Sequence, residues 1–222
     1  MSDKKKLILT IILFGSIWGG MEAVISASMG GIGTTIPRSV VLAFVALLVL
    51  SFARYVLPTK GTTLLIGLVA VGFKFLGLPN LMMCQLAAVA GQAVILEGAF
   101  TLAQSRGWLT KPAHISLIVV VSSYVNSLVF SFSQAYIFSN PWWLDRGAGG
   151  LLNWSVTTGT AAAVASSGGL LIAALLVKLS FARYEQFVST RQVAFARIAI
   201  AVSAAFWITG LLVTNEAIAG LW

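Results

Sequence analysis

The sequence predicts an all-α polytopic membrane helix bundle of about seven transmembrane helices, forming a single integral membrane domain over residues 1–222. Apolar residues make up 59% of the chain and charged residues 9%, against about 45–50% and about 25% in soluble domains. Apolar runs of about 20 residues, bounded by charge, Gly or Pro, recur along the whole length. The basic residues gather on alternate connections, as they do in multi-pass proteins.

The first run, Leu7 to Met29, follows Lys4, Lys5 and Lys6. Within it Gly15, Gly19, Ala23 and Ala27 recur every fourth residue, a ridge of small side chains that lets another helix approach closely, either within the chain or from a separate subunit. A cleavable secretory signal is the alternative, because lysines, an apolar run and Ser26-Ala27-Ser28 are its ingredients. The run outlasts a signal core and carries Glu22, so an uncleaved span is expected. Pro37 to Leu57 comes next and stops at Leu57-Pro58, since the residue before Pro avoids the helical region. Thr62 to Leu78 stops at Leu78-Pro79-Asn80 in the same way. Leu81 to Ala103 and Ala113 to Phe138 are the fourth and fifth spans. The longest external connection, Ser139 to Gly150, places Trp142 and Trp143 at headgroup level, as an aromatic belt or as a lid stacking on a bound ring. Leu151 to Leu179 is long enough to tilt or project, and Val193 to Thr214 is the seventh span.

With the N-terminus cytoplasmic, eleven cations fall inside: Lys4, Lys5, Lys6, Arg54, Lys60, Arg106, Lys111, Lys178, Arg183, Arg191 and Arg197. Arg38 and Arg146 fall outside, and Lys74 lies within a span. The net charge of +8 is therefore a mark of orientation, and no nucleic-acid partner is expected. The expected location is a bacterial inner (cell) membrane, with Glu216 and Trp222 external.

Catalytic chemistry finds little support. One cysteine, Cys84, and one histidine, His114, speak against a disulfide framework and a multi-His metal site, so neither cofactor nor metal is expected. Ser166 and Ser167 lack a glycine-framed nucleophile motif, and Asp3 and Asp145 lie outside the spans. There is no Walker-type phosphate loop, so ATP-driven work would need a partner.

The informative residues are the ionisable ones inside spans, each costing at least about 2.5–3.5 kcal/mol on insertion scales. Glu22 would lie about 22 Å and Lys74 about 18 Å from the cytoplasmic start of their spans, near one depth in the outer half. The expectation is a water-accessible pocket opening outward and shared by Glu22, Lys74 and Arg38; the alternatives are a structural ion pair or a snorkelling lysine. Ser123, Asn126, Ser127 and Gln134 share one face of the fifth span, with Asn126 level with Glu22; Asn153 opens the sixth span. Glu22, Arg38, Lys74, Asn126, Gln134, Trp142 and Asn153 are thus the candidate ligand-binding residues. Glu97 would lie about 24 Å from the outside, too deep to meet Lys74. It is read either as an interfacial cap near Gln104 and Arg106 or as a coupling, proton-relay group.

A small, nearly all-membrane chain, basic inside, with an Ala-xxx-Ala step at Ala23 and Ala27 and polar residues toward the outer half, resembles the substrate-binding S components of energy-coupling factor transporters. The stretches IWGGMEA (Ile17 to Ala23), LLIGLVAVGFKFLG (Leu64 to Gly77) and ILEGAF (Ile95 to Phe100) also look like those of uncharacterised bacterial membrane proteins associated with that group. Such components end inside after six helices, so this chain would be a six-helix core plus one. The resemblance implies uptake of a vitamin-like or precursor molecule, with a membrane scaffold subunit and an ATPase pair as partners. It implies that Ala23 and Ala27, beside Gly19, dock that scaffold. The competing expectations are a stand-alone proton-coupled secondary transporter using Glu22 or Glu97, and a scaffold or assembly subunit that transports nothing.

Overall fold

The computed structural model describes residues 3–28, 37–75, 83–108 and 112–214. They form α1 (Asp3–Ser28), α2 (Arg38–Val56), α3 (Thr62–Lys74), α4 (Met83–Ser105), α5 (Pro112–Phe132), α6 (Pro141–Leu144), α7 (Gly147–Thr190) and α8 (Gln192–Thr214). Six of these are long and apolar enough to cross a membrane: α1, α2, α4, α5 with the turn that follows it, α7 and α8. The chain is a multi-pass helical membrane protein. Among the described residues, the third expected span is represented by α3, 13 residues and about 20 Å of helix. The Leu78-Pro79-Asn80 turn, the Leu81 start, Lys111, Glu216 and Trp222 lie outside the described residues.

The helix ends follow the sequence signals. Pro37 precedes α2 with extended ψ, and Leu57 leaves the helical region before Pro58. Gly61 takes φ +85°, the left-handed backbone open to glycine, and aims the chain into α3. Asn140 caps α6 by accepting from the Trp142 amide at 3.1 Å, with Pro141 at the first helical position.

Neighbour contacts close a ring. In order around it stand α1, α3, α4, α5, α7 and α2, and α2 returns to α1. The eighth helix stays outside the ring, packed along α1. There Trp207 reaches α3, its ring centroid 4.1 Å from that of Phe73, and its indole nitrogen donates to Ser16 Oγ at 3.2 Å. The core within the ring is apolar at the end where α1 begins, around Trp18, Leu50, Ile66 and Leu96.

The sixth expected span is longer than the sequence suggested. As one 44-residue helix, α7 is about 66 Å long, twice the thickness of a hydrocarbon core. Small residues let it lie against α2: a Cβ at Gly169 would stand 2.8 Å from the Phe44 carbonyl oxygen. Continuing both helices from that contact leaves residues 178–190 projecting about 20 Å beyond α2. That projection is not bare, because Tyr184, Phe187 and Val188 pack with Leu9 and Leu13 of α1 and Phe195 of α8. Lys178 and Arg183 of the stub, Lys4, Lys5 and Lys6 at the start of α1, Arg191 between α7 and α8, and Arg197 in α8 mark the basic end of the molecule.

Candidate functional site: a polar cavity inside the helix ring

The small-residue ridge of α1 brings the two intramembrane charges together. A Cβ at Gly15 would stand 2.5 Å from Val69 Cβ, and one at Gly19 would stand 2.5 Å from the Phe73 ring, so α1 and α3 run side by side at backbone distance. Three residues beyond Gly19 and one beyond Phe73, Glu22 and Lys74 meet: Lys74 Nζ donates to Glu22 Oε1 at 2.8 Å. Glu22 is 8% exposed. The equal heights read from the sequence become a direct contact because the ridge lets the helices close up. Of the residues expected to dock a scaffold, Gly19 faces Phe73 of α3 and Ala23 is buried. Only Ala27 of that ridge remains exposed.

Beside the ion pair lies a cavity of about 280 Å³, in the half of the ring away from the basic end. Every ring helix contributes to its wall. From α1 and α3 come Glu22, Ser26 and Lys74, and from α2 come Arg38, Ser39, Leu42 and Ala43. The fourth helix supplies Ala88, Val89 and Gln92; the fifth supplies Asn126, Ser127 and Phe130; the seventh supplies Trp154, Thr158 and Ala162. Nothing from α8 reaches it among the described residues. A side chamber of about 20 Å³ shares Ala43, Gln92, Asn126 and Ala162 with the main cavity and ends at Ser122, Ser123 and Ser166. That is room for about one water or a hydroxyl-sized group. At its end, Ser166 Oγ is buried without a hydrogen-bond partner.

Of the seven candidate ligand-binding residues, the structure brings four to this wall: Glu22, Arg38, Lys74 and Asn126. Gln134, Trp142 and Asn153 are not on it. Gln134 lies one turn past Phe130, where α5 widens into a five-residue π turn, Ser133–Ile137. It is 2% exposed, at the level where Ala135, Trp143 and Leu151 cluster. Asn153 precedes the wall residue Trp154 and points about 100° away from it, to the exposed side of α7. Trp142 is 55% exposed, with the Arg146 guanidinium 3.8 Å above its ring, a cation–π stack on the protein surface. Trp143 lies beneath, meeting Trp154 edge to face at 4.7 Å, and Trp154 in turn lies 5.9 Å from Phe130. A continuous aromatic cluster thus joins the short surface helix α6 to the cavity wall.

Sequence reasoning missed Gln92, Phe130, Trp154 and Thr158. Gln92 carried a usable signal, being an uncharged polar residue in the middle of an apolar span, which in a bilayer calls for a partner or a cavity. Trp154 carried none, because a tryptophan near a span end reads as an interface anchor.

Glu97 occupies a different setting at the basic end. Its carboxylate accepts from the backbone amides of Gly61 at 2.8 Å and Thr63 at 3.0 Å, and from Thr101 Oγ1 at 2.7 Å. Arg54 Nη1 completes the set at 3.4 Å. Arg54 also bonds Gln104 Oε1 at 2.8 Å and the Thr59 carbonyl, while Gln104 Nε2 donates to Pro58 O at 3.1 Å. Glu97 therefore caps the first turn of α3 from a neighbouring helix, satisfying amides that a helix start leaves without partners. Gln104 joins as expected, but the cation is Arg54, only 4% exposed; Arg106 instead stacks 5.2 Å over Trp108. Among the described residues no group of three His, Cys, Asp or Glu comes together to hold a metal.

The fold and site together define a multi-pass helical membrane protein with a polar, charge-bearing cavity between its helices. Comparisons with protein-family models, with curated proteins and with solved structures gave no match for this chain.

Proposed function

We propose that the chain is a membrane solute-binding subunit for uptake, with the ring cavity as its ligand site. The observation that carries this reading is the Glu22–Lys74 pair opening onto about 280 Å³ of space, with a mixed polar and apolar wall, lined by all six ring helices. A bilayer protein gains nothing in packing from such a space, because polar groups in hydrocarbon are costly and close contact between helices is what stabilises the bundle. The size sits near the lower end of small-molecule sites, about 300–1,000 Å³. Charged groups, amides and hydroxyls on a partly aromatic wall suit a small polar molecule with an apolar portion.

The resemblance to S components of energy-coupling factor transporters supports a six-helix binding core with α8 as the added helix, and with it a scaffold subunit and ATPase pair as energy source. In this reading Ala27 is the part of the α1 ridge still open to a scaffold. The distribution of cations supports a cytoplasmic basic end in a bacterial inner membrane, with the cavity in the outer half and the C-terminus external. Glu97 fits capping better than proton relay, since protonation would weaken its bonds to four donors at once.

Native mass spectrometry of protein extracted from its own membranes tests the proposal. The expected result is a bound small molecule in the wild type that is absent from Ala88→Phe, which adds a ring to the cavity wall while leaving Glu22, Arg38 and Lys74 unchanged. A species bound equally by both places the ligand elsewhere, and a wild type carrying no small molecule contradicts the binding reading.

A further inference from the structure

The cavity wall is chemically divided, and the division specifies the guest. In the ring, α1 and α3 stand across from α5 and α7. One side therefore bears the charged Glu22 and Lys74, and the other bears Phe130 and Trp154 among the uncharged Asn126, Ser127 and Thr158. Arg38, from α2, adds a second cation to the wall. Its guanidinium donates to the Ser26 carbonyl oxygen at 3.2 Å, and no carboxylate among the described residues lies within ion-pair distance of it. The formal balance of the wall is two cations against one anion. Lys74 pairs directly with Glu22, and among the described residues Arg38 faces that carboxylate only from beyond ion-pair distance. A guanidinium offers several donors in a planar fork that matches a carboxylate, which makes Arg38 the natural seat for one. The aromatic faces opposite offer contact to a flat or apolar body.

Resting on the binding reading above, we propose that the cavity takes a small organic anion: a carboxylate head held by Arg38 beside Lys74, with a flat apolar body against Phe130 and Trp154. A guest carrying one net negative charge neutralises the wall. A cation of the same shape would add a third positive charge to a wall that already carries two cations against one anion. The hydroxyl-sized side chamber ending at Ser166 gives room for one further polar substituent on the body.

The test is equilibrium binding to the full chain in nanodiscs, using three probes of one shape and different charge: 3-phenylpropionate, L-phenylalanine and phenethylamine. The anion is expected to bind at least about tenfold more tightly than the cation, with the zwitterion between. Arg38→Met should bring the anion-to-cation ratio toward unity, while Arg38→Lys retains most of it; Arg38 is exposed, so neither change threatens the fold. Preference for the cation, indifference to charge, or an unchanged ratio in Arg38→Met overturns the proposal. So does failure of all three probes to bind at millimolar concentration. Whether the protein binds a small molecule at all is decided separately by the Ala88→Phe comparison, so an unexpected cationic species lost on filling the cavity would sink the ligand class and leave the binding reading standing.

Discussion

Two intramembrane ion pairs, one at each end of the helix ring, differ in what surrounds them. Arg54 and Glu97 at the basic end are wrapped by backbone amides, a threonine hydroxyl and Gln104, and they stitch α2, α3 and α4 together. Glu22 and Lys74 at the other end have each other at 2.8 Å, an apolar ridge below them and open space beside them. A pair whose carboxylate is filled by donors from the fold, as Glu97 is, serves the fold. One left facing a cavity keeps capacity for something that is not part of the chain. The difference is thus one of satisfaction rather than charge, and it separates a structural knot from a candidate binding site.

Breaking each pair should sharpen that contrast. The largest loss is expected for Glu97→Ala, which strands Arg54 and the amides of Gly61 and Thr63; about 3–5 kcal/mol of stability should go, read from thermal unfolding in detergent. Adding Arg54→Met to it should not restore stability, because the two amides still lack an acceptor. A methyl at Gly19, forced against Phe73 at 2.5 Å, comes next: Gly19→Ala should cost about 1–3 kcal/mol and loosen the α1–α3 contact beneath the Glu22–Lys74 pair. Removing that pair as a unit, with Glu22→Gln and Lys74→Met together, should shift stability by no more than about 1 kcal/mol while binding is lost, since replacing both partners leaves no buried charge behind. The smallest effect belongs to Trp142→Ala, about 0.5–1 kcal/mol from its exposed stack with Arg146, with ligand binding unchanged. If Trp142→Ala abolished binding, the surface stack would have to be a lid after all.

Much of this was legible in the sequence where periodicity and depth decide the outcome. Membrane spans follow from run length, and the meeting of Glu22 with Lys74 follows from counting 1.5 Å per residue up two parallel helices. The ridge at Gly15 and Gly19 was visible too, but not its partner: small-residue spacing says that a helix packs closely and does not say which one. Arg54 counts in the sequence only as one of the cytoplasmic-side cations near a span end; its burial beside Glu97 depends on how α2 packs against α3 and α4. The cavity wall escaped wherever it depended on which way a helix is turned. Asn153 and Trp154 are neighbours in sequence and face different surroundings, and only the packing of α7 against α2 and α5 fixes which of them looks inward.

The contrast between the two pairs is tested most directly by ligand retention in paired double variants, measured by native mass spectrometry as bound species per folded molecule. The account predicts that Glu22→Gln with Lys74→Met folds and comes out empty, whereas Arg54→Met with Glu97→Gln is less stable yet keeps its small molecule. Equal retention in both, or loss only from the Arg54 and Glu97 variant, would contradict it.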